Sequence, residues 1–515
     1  MRHPLLCVTV AASTVEELRR KRDAADGADM VELRLDHLDV PNGPAALDGR
    51  RRPAIVTCRP TWEGGRFDGS EDDRQKILEA AMTAGAEFVD VEAAAAFAPE
   101  IIRMRRGRGV LLSAHLYGEA PTDLQARAAA MRSTGAEVIK IAIEGHGVSD
   151  MLPLFALAGA SSRDEDTGHV LIAMGTPGLP SRVLAARLGN RWTYAGNAVA
   201  PGQIPAARLL DEFNFRRVTP DAALYGVVGN PVGHSRSPVM HNAGFAAMGM
   251  NAVYVPFEAA SAEDFVRCAR GLGISGASIT APFKVALMSH VDRVEPLASR
   301  VGAINTIVVR DGCWIGANTD VHGFLAPLSG RIGLKGTRAA VLGAGGAARG
   351  VAIALADRGA AVTICARKKE AAREIAELVG GSVGTFPPKA GSWDVLINAT
   401  PAGTGPDGVN PIADTPLDGE MVFDLVYAPL ETRLLADARA AGCLTIGGLE
   451  MLVAQAERQF ELWTGHKPPP GLFARAAGVR PGSDEGQTAL RPGSDGGQTG
   501  VRPPGDHSPV PHRRR

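Results

Sequence analysis

Up to about residue 215, short apolar runs alternate with helix-like stretches. Several of the runs are almost continuously apolar, which is typical of parallel strands that are buried on both faces. The eight runs are LLCVTV, ADMVELRLD, PAIVTCR, AEFVDVE, VLLSAHL, EVIKIAI, VLIAMG and RWTYAG. Helix-capping patterns lie between many of them, for example at Ser13–Glu16, Ser70–Asp73 and Thr122–Gln125. Eight strands in about 200 residues predict an α/β chain that opens with a (β/α)8 barrel, with a doubly wound sheet as the second interpretation.

The strand–helix rhythm restarts twice further along the chain, at LYGVVGNP and at RAAVLGAGGAARG. We therefore expect a barrel over residues 1–216, a second α/β domain over 222–322 and a third over 323–475, with FNFRRVTPDAAL as a linker. Residues 476–515 are rich in Gly, Pro, Ser, Asp and Arg and contain the near-duplicates RPGSDEGQT and RPGSDGGQT. This segment has too little apolar surface to offset the entropy of ordering, so we predict a disordered tail.

The segment VLGAGGAARG follows an apolar strand and precedes a helix-like stretch, which is the context of a dinucleotide-binding loop. Gly343 permits a tight turn, Gly345 allows the backbone to approach a pyrophosphate, and Ala348 is a small residue where helix and strand pack. The N-terminus of the helix offers free N–H groups to phosphates. The segment predicts a Rossmann-like domain.

The end of the next strand indicates which dinucleotide is bound. An NAD site places Asp or Glu there to bind the ribose 2′-hydroxyl, whereas this chain has Arg367, Lys368 and Lys369. A guanidinium grips a 2′-phosphate through two parallel hydrogen bonds. NADP is therefore favoured over NAD, and a solvated basic turn is the alternative.

Composition excludes several classes of function. The chain has 515 residues, 45% of them hydrophobic, and a formal net charge of -1, so nothing attracts it globally to nucleic acid or to acidic membranes. No apolar run reaches the roughly 18 residues of a membrane span. The six cysteines show no CxxC spacing, which favours reduced thiols in a cytoplasm over disulfides or a metal site. The N-terminus imitates a short signal peptide, but a first strand is the favoured interpretation.

Polar motifs cluster after the barrel: GNPVGHSRSPVMHN, SITAPFK, GAINT and GANTD. With INATPAG, DLVYAPLETRLL and GGLEMLVAQAERQFELWTG they fall in the order found in shikimate dehydrogenase, which the chain resembles over residues 224–475. Reducing a ketone requires a group that donates a proton to, or stabilises, the oxygen. Lys284 suits this role, with Asp320 setting its position and protonation, and the resemblance implies the same dyad.

The resemblance also implies binding residues, each of which alone would more often be a turn or cap residue. The substrate set is Ser235, Ser237, Thr280, Asn305, Tyr427 and Gln455. The cofactor set is Gly343, Ala344, Gly345, Gly346, Ala347, Arg367, Lys368, Thr400 and Gly448. The chain departs from the family pattern at Ser278, Ala366 and Thr404, where Asn, Asn and Met are frequent. The last two bear on cofactor fit rather than on the reaction.

Two residues give the barrel a candidate chemistry. Lys140 lies within the apolar run EVIKIAI, where an ammonium is costly and a neutral amine is favoured as a nucleophile toward a carbonyl. His115, in VLLSAHL, suits proton transfer near neutral pH. The alternatives are a lysine that reaches solvent at a strand end and a structural histidine.

Together these residues resemble type I 3-dehydroquinate dehydratase over residues 5–215, through VELRLD, TCRPTWEGG, DVEA, LLSAH, MGTPGLPSR and APGQ. The resemblance implies that Lys140 forms an imine with the substrate ketone and that His115 removes the adjacent proton, oriented by Glu63. It also implies that Arg182 pairs with the substrate carboxylate. The remaining polar lining is Glu32, Arg34, Arg59 and Gln203.

This half departs further from its family. Val199 replaces a serine that stands four residues before the glutamine, and Ala114 and Leu116 flank His115 where polar residues are usual. Losing one hydroxyl contact costs about 1 kcal/mol of binding. We predict a weaker but working dehydratase.

The two resemblances fit consecutive reactions, in which 3-dehydroquinate is dehydrated and the resulting 3-dehydroshikimate is reduced with NADPH. The sequence therefore predicts a cytoplasmic bifunctional enzyme acting on small molecules, with no nucleic-acid or membrane partner and no metal. Three alternatives stay open: a quinate/shikimate dehydrogenase working in the oxidative direction, a regulatory protein that has lost catalysis, and an active reductase fused to an inactive barrel.

Overall fold

The computed structural model describes residues 3–118, 122–160, 167–197, 199–405 and 407–478, so nearly all of the predicted tail lies outside the described residues. The strands are β1 (Leu5–Ala11), β2 (Met30–Arg34), β3 (Ala54–Thr57), β4 (Phe88–Glu92), β5 (Val110–Leu116), β6 (Val138–Glu144), β7 (Gly168–Met174), β8 (Trp192–Ala195), β9 (Ala223–Gly229), β10 (Ala252–Glu258), β11 (Gly276–Ile279), β12 (Arg293–Val294), β13 (Thr306–Arg310), β14 (Cys313–Ala317), β15 (Arg338–Leu342), β16 (Ala361–Cys365), β17 (Ser382–Val383), β18 (Val395–Asn398), β19 (Met421–Asp424) and β20 (Leu444–Gly447).

The α-helices are α1 (Val15–Asp23), α2 (Gly43–Leu47), α3 (Glu71–Thr83), α4 (Ala98–Arg105), α5 (Leu124–Ser133), α6 (Leu152–Ala160), α7 (Leu179–Val183), α8 (Ser237–Ala247), α9 (Ala262–Leu272), α10 (Pro296–Val301), α11 (Asp320–Leu328), α12 (Gly346–Asp357), α13 (Lys369–Val379), α14 (Arg433–Ala440), α15 (Gly448–Thr464) and α16 (Leu472–Ala476). Short 3-10 turns include Val148–Met151 and Phe215–Arg217, and Arg208–Glu212 forms a π-helix. Among the described residues, no helix is both long and apolar enough to cross a membrane.

The first eight strands form the predicted barrel. They lie in the order β7-β6-β5-β4-β3-β2-β1-β8, and all of the paired strands are parallel. The two outer strands of this order, β7 and β8, are linked through Asn190, which lies just before β8. Its side chain exchanges hydrogen bonds of 2.9 and 3.0 Å with the backbone of Leu171 in β7. Each of the eight predicted runs overlaps one of these strands. The barrel prediction is confirmed, and the doubly wound alternative for this half is wrong.

The helix-capping predictions had mixed outcomes. Ser70 caps α3 and accepts a hydrogen bond from the Asp73 backbone, as predicted. Helix α1 is capped by Thr14 rather than Ser13, because Thr14 has the extended backbone that turns its hydroxyl toward the N–H of Glu17. Helix α5 begins at Leu124 without a side-chain cap, so the capping pattern predicted from Thr122 is wrong.

The connection after the barrel is packed rather than free. The side chains of Phe213 and Phe215 are fully buried, and they belong to the apolar core shared by the barrel and the middle sheet. Asn242 of α8 donates a hydrogen bond of 2.9 Å to the carbonyl of Glu212. The segment predicted as a linker therefore holds the barrel against the next domain.

The middle domain is a mixed sheet in the order β10-β9-β11-β13-β14-β12. Strands β10, β9 and β11 are parallel, whereas β13 runs antiparallel to both β11 and β14. Asp311 and Gly312 make the tight turn between β13 and β14, and both have positive φ.

The third sheet has the order β17-β16-β15-β18-β19-β20, and all of its strands are parallel. This is the strand order of a Rossmann fold, whose ligand crevice lies where the order reverses beside β15. Helices α15 and α16 return to the middle sheet, because Leu449, Phe460 and Phe473 pack with Tyr225 of β9 in one apolar cluster. The C-terminal helices thus join the two domains that flank the crevice.

Candidate active sites

The carboxyl ends of the barrel strands bring a set of polar side chains into one cavity. Parallel strands all present these ends on the same face, so residues far apart in sequence meet there. The cavity is lined by Glu32, Arg34, Arg59, His115, Lys140, Ala142, Ile172, Met174, Arg182, Tyr194, Ala200 and Gln203. All the residues predicted for this site except Glu63 line the cavity directly, and Glu63 contacts His115.

Lys140 is buried at the centre of this site, with 6% of its surface exposed. Its Nζ lies 3.3 Å from Oδ2 of Asp90, 4.0 Å from Oε1 of Glu32 and 4.6 Å from the centre of the Tyr194 ring. Two carboxylates and an aromatic face therefore surround the amino group. The side chain is therefore held pointing into the cavity, and the alternative of a lysine that reaches solvent is wrong.

His115 is anchored to Glu63 by two hydrogen bonds. Its backbone N–H donates to Oε1 of Glu63, and its ring Nδ1 lies at the same distance, 2.8 Å, from that oxygen. If Nδ1 donates, Nε2 is left as the basic nitrogen. Burial lowers the pKa of His115 well below its usual value, and the cations Arg59 and Lys140 lower it further. The arrangement favours a neutral imidazole whose ring is held in one orientation.

Glu63 titrates in an unusual range. Burial raises the pKa of its carboxyl to about 7, although nearby Arg59 acts in the opposite direction. Asp90 differs, because Arg59 and Lys140 overcome its burial and lower its pKa. The site therefore contains one carboxylate that is held ionised and one that changes charge near neutral pH.

Arg59 is neutralised by the acidic residues of the DVEA motif. It donates to Oδ2 of Asp90 and to Oε1 of Glu92, both at 2.6 Å, and to Ser113 at 2.8 Å. Glu92 is also paired with the fully buried Arg74. This network fixes Asp90 opposite Lys140. Sequence reasoning assigned no role to Asp90 and Glu92, although their motif was noted.

Arg182 has a different environment from the other buried arginines of the site. Arg34 forms a two-pronged ion pair with Asp36, whereas Arg182 bonds, within the described part of the chain, only to the carbonyl oxygens of Tyr194 and Pro201, at 3.4 and 3.0 Å. Its Nε has no hydrogen-bond partner among the described residues, and burial lowers its pKa to about 10. A buried cation with no counter-ion among the residues that the structure describes is suited to receive a carboxylate.

The rest of the lining forms a polar chain across the first three strands. Thr9 and Thr57 donate to the carboxylate of Glu32 at 2.8 and 2.9 Å, and Gln203 donates to Thr9 at 2.9 Å. Val199 lies next to Ala200, whose N–H donates to the side-chain oxygen of Gln203. A hydroxyl at position 199 would lie at the edge of this chain.

A second cavity lies between the middle sheet and the Rossmann sheet. It is lined by all six residues predicted to bind the second substrate and by the predicted dyad, namely Ser235, Ser237, Thr280, Asn305, Tyr427, Gln455, Lys284 and Asp320. Nζ of Lys284 lies 2.6 Å from Oδ2 of Asp320. Asn305 donates to the other carboxylate oxygen of Asp320 at 2.8 Å. Asp320 is therefore held from both sides, with Lys284 facing the cavity.

A buried chain of hydrogen bonds supports the floor of this cavity. The hydroxyl of Tyr254 donates to Ser278 at 2.6 Å, and Ser278 donates to Gln459 at 2.7 Å. Gln459 in turn donates to the carbonyl of Asn305 at 3.1 Å and to Thr306 at 3.0 Å. Sequence reasoning missed Gln459 and Tyr254. The position of Gln459, four residues after Gln455 in α15, places both amides on one helix face and was the available signal.

The loop between β15 and α12 has the form that a dinucleotide requires. Gly343 has φ of +104°, and a Cβ there would lie 3.0 Å from Thr400. Gly345 and Gly346 open the helix, and apart from the loop's own neighbouring residues no described part of the chain lies within 4 Å of where their Cβ atoms would be, so this space is open to phosphates. Ala348 is fully buried against the sheet, as the third small position requires. The residues present therefore fit a dinucleotide.

The remaining cofactor candidates lie around this loop. Arg367 and Lys368 are exposed between β16 and α13, where no described residue supplies an acidic partner to Arg367. Thr400 follows β18 and bonds to Asn398 at 2.7 Å. Ala347 and Gly448 line the second cavity together with Lys284, which connects the dinucleotide loop with the dyad. Among the described residues no cluster of His, Cys, Asp or Glu is suited to hold a metal ion.

Comparison with known families agrees with this geometry. The model of type I 3-dehydroquinase matches residues 6–220. The shikimate dehydrogenase substrate binding domain matches residues 227–307, and the shikimate 5'-dehydrogenase C-terminal domain matches residues 448–477.

Individual relatives cover one or both halves. The chain is 34% identical to a chloroplastic bifunctional 3-dehydroquinate dehydratase/shikimate dehydrogenase of Arabidopsis thaliana, over 91% of this chain and 83% of that protein. It is 40% identical to a shikimate dehydrogenase (NADP(+)) of Moorella thermoacetica, over 53% of this chain and 98% of that one. A crystal structure of shikimate 5-dehydrogenase from Thermus thermophilus, in complex with NADP(H) and shikimate, is 38% identical over 50% of this chain and 98% of that chain, with a TM-score of 0.47.

The relationship to the Arabidopsis protein extends over both catalytic halves, and the family models match each half in the same order. The chain therefore belongs to the family of bifunctional 3-dehydroquinate dehydratase/shikimate dehydrogenases.

Proposed function

We propose that this chain dehydrates 3-dehydroquinate to 3-dehydroshikimate in the barrel and reduces that product to shikimate with NADPH in the second half. One observation carries the proposal: each predicted set of catalytic and binding residues converges on its own cavity, with Lys140 in one and Lys284 in the other. The domain divisions after residues 216, 322 and 475 stay predictions, and the three separate sheets support the first two.

In the barrel, the amine of Lys140 attacks the ketone carbon, and loss of water gives an imine. The imine withdraws electrons and acidifies the neighbouring C–H bond. Neutral His115, oriented by Glu63, removes that proton and then returns it to the departing hydroxyl, which leaves as water. Hydrolysis of the imine releases the product and regenerates Lys140.

Three groups place the substrate for this chemistry. Arg182 pairs with the substrate carboxylate, since its guanidinium has no other counter-ion among the described residues. Gln203 and Glu32 meet the ring hydroxyls from the first strands. Arg59 acts mainly by fixing Asp90 and Glu92, whose charges hold Lys140 in place.

In the second half, bound NADPH would supply the hydride that reduces the ketone carbon of 3-dehydroshikimate. Lys284 donates a proton to the ketone oxygen or stabilises the charge on it, and Asp320 holds the ammonium in position. Ser235, Ser237 and Thr280 are suited to bind the carboxylate and hydroxyls of the ring, with Asn305, Tyr427 and Gln455 on the opposite walls. Gly343, Gly345 and Arg367 would hold the pyrophosphate and the 2′-phosphate of the cofactor.

The partners are therefore small molecules. We expect the enzyme to act in the cytoplasm, where the buried thiols of Cys7, Cys58 and Cys268 would remain reduced. The alternative is a quinate/shikimate dehydrogenase that works in the oxidative direction. The basic residues after β16 argue against an NAD-linked enzyme of this kind.

One assay tests both halves: 3-dehydroquinate is supplied with and without NADPH, and absorbance of the conjugated product and of NADPH is followed. Dehydration without cofactor, followed by NADPH consumption when it is added, is the expected result. NADPH consumption only with supplied 3-dehydroshikimate would instead indicate an inactive barrel. No turnover of either substrate would favour the regulatory alternative.

The cofactor assignment predicts the effect of Arg367→Ala. Losing the charge-assisted hydrogen bonds to a 2′-phosphate costs about 1.5–3 kcal/mol, so the KM for NADPH should rise roughly 10- to 100-fold. The KM for NADH should change less than about twofold, because NADH lacks that phosphate. Initial rates with both cofactors measure this. Arg373→Ala, at an exposed arginine of α13, is the matched control, and equal effects of the two variants would contradict the assignment.

The pKa of Glu63 predicts a pH limb of the dehydratase. Because burial raises this pKa to about 7, Glu63 takes up a proton as the pH falls through 7 and then stabilises the developing imidazolium of His115 less well. The efficiency of dehydration, kcat/KM, should therefore fall below pH 7. Glu63→Gln should lower kcat/KM at pH 8 by roughly 10²-fold and remove that limb. A wild-type profile that is flat from pH 8 to pH 6 would contradict this role.

A further inference from the structure

The barrel meets the middle domain at the rim that carries the dehydratase residues. Asp264, near the start of α9, accepts hydrogen bonds of 2.9 Å from the N–H groups of Val148 and Ser149, which follow β6. Gly271 of the same helix lies directly against Leu152, where a Cβ would come within 2.7 Å of that side chain. The loops after the barrel strands are therefore in direct contact with the reductase half.

One carboxylate in this contact touches a loop from each active site. Oε1 of Glu258, the last residue of β10, accepts a hydrogen bond of 2.7 Å from the hydroxyl of Thr176 in the loop after β7. Its other oxygen, Oε2, accepts a hydrogen bond of 3.2 Å from the backbone N–H of Val232. The contact with Val232 lies within the reductase half, whereas the contact with Thr176 exists only because the two halves are joined in this way.

The two loops carry substrate-binding residues. Thr176 comes two residues after Met174, which lines the barrel cavity, and its loop leads into α7 and Arg182. Val232 lines the reductase cavity and belongs to the loop that ends in Ser235 and Ser237. A movement of the Glu258 side chain is therefore transmitted to the loops of both substrate sites, through one hydrogen bond on each side.

We propose that Glu258 is a positioning residue shared by the two active sites, and that Thr176 of the barrel tunes substrate binding in the reductase by orienting the Glu258 carboxylate. This inference rests on the proposed function, since the two activities are its readouts. Glu258 does not line either cavity, so its effect is on substrate affinity and not on the chemical steps.

The hydrogen-bond chemistry provides a graded set of variants. Glu258→Gln keeps an oxygen for the N–H of Val232, and its NH₂ group donates to the hydroxyl oxygen of Thr176, so both contacts survive. Glu258→Ala removes both contacts. Thr176→Val removes only the barrel contact and retains the shape of the side chain.

Steady-state kinetics of the full chain test the proposal. Glu258→Ala should raise the Michaelis constants for both substrates, 3-dehydroquinate and 3-dehydroshikimate, about fivefold each, with each turnover number within about twofold of wild type. Thr176→Val should raise the Michaelis constant for 3-dehydroshikimate about threefold. In Glu258→Gln the Michaelis constants for both substrates should stay within about twofold of wild type. Titration calorimetry of shikimate binding measures the effect on the Val232 loop independently of turnover.

Two controls separate positioning from a general loosening of the halves. Thr83→Val changes an exposed threonine of α3 whose hydroxyl donates to the carbonyl of Glu79 in its own helix, and it should leave every Michaelis constant unchanged. Asp264→Ala weakens the docking of the halves without touching Val232 or Thr176, and should lower the unfolding temperature while leaving the KM values near wild type. Equal KM increases in Asp264→Ala, or unchanged KM values and shikimate affinity in Thr176→Val and Glu258→Ala, would overturn the proposal. An inactive wild-type enzyme would instead contradict the proposed function.

Discussion

Replacing Lys140 with alanine should lower the rate of 3-dehydroquinate dehydration by about 10⁴-fold or more, because the only step that activates the C–H bond is imine formation at this amine. The reductase should keep its turnover rate to within about twofold, since Lys284 and Asp320 lie in a separate cavity. Product formation from 3-dehydroquinate and NADPH consumption with supplied 3-dehydroshikimate measure the two halves independently.

The substitution also removes a buried charge, so loss of activity alone is not sufficient evidence. Asp90 and Glu32 would lose the cation opposite them, which is expected to destabilise the barrel by a few kcal/mol. Lys140→Arg retains the cation and therefore the ion pairs, but a guanidinium is not a nucleophile at neutral pH. It should be as inactive as the alanine variant while unfolding at a temperature closer to wild type.

Covalent trapping distinguishes imine chemistry from a charge effect. Borohydride added with 3-dehydroquinate should inactivate the wild-type dehydratase and leave one substrate-derived adduct on the peptide that contains Lys140. Lys76→Ala, at an exposed lysine of α3, should be trapped as efficiently as wild type. A Lys140→Arg enzyme that dehydrates at the wild-type rate, or an adduct that survives the loss of Lys140, would contradict the nucleophile assignment.

The fold of this chain was predictable where local pattern and burial coincide. A parallel barrel strand is buried on both faces, so strands such as β3 and β6 are largely apolar runs that can be recognised without their neighbours. The start of α5 and the packing of Phe213 and Phe215 were not predictable, because they depend on surfaces contributed by distant residues. The return of α15 to the middle sheet has the same origin.

The candidate sites follow the same division. Lys140 was identifiable because a lysine is unusual within an apolar run such as EVIKIAI. Lys284 was identifiable because it belongs to the closely spaced polar motifs that follow the barrel. The pairing of Lys140 with Asp90, and the isolation of Arg182 from any described carboxylate, are properties of the closed barrel that no local pattern reports. Glu258 is the extreme case, since its two partners are 82 residues away in the barrel and 26 residues away in the reductase loop.

Replacing Lys284 with methionine should slow the turnover of 3-dehydroshikimate by roughly 10²- to 10⁴-fold, which is the usual contribution of a positioned proton donor. Methionine matches the length of the side chain and removes its charge, and Lys284 is partly exposed in the cavity, so the fold should tolerate the change. Dehydration in the barrel should stay within about twofold of wild type, and so should the KM for NADPH, because Arg367 and the glycine loop are unchanged.

Asp320→Asn tests whether Lys284 acts alone or as part of a dyad. The asparagine oxygen still accepts from Asn305, but its NH₂ group then faces the ammonium of Lys284 at the position where Oδ2 lies 2.6 Å from it. Two donors facing each other push Lys284 away from the substrate oxygen, so this variant should lose nearly as much rate as Lys284→Met, and the double variant should lose little more. Multiplicative losses in the double variant would show that the two residues act independently, and a Lys284→Met enzyme within tenfold of wild type would place the proton donor elsewhere in the cavity.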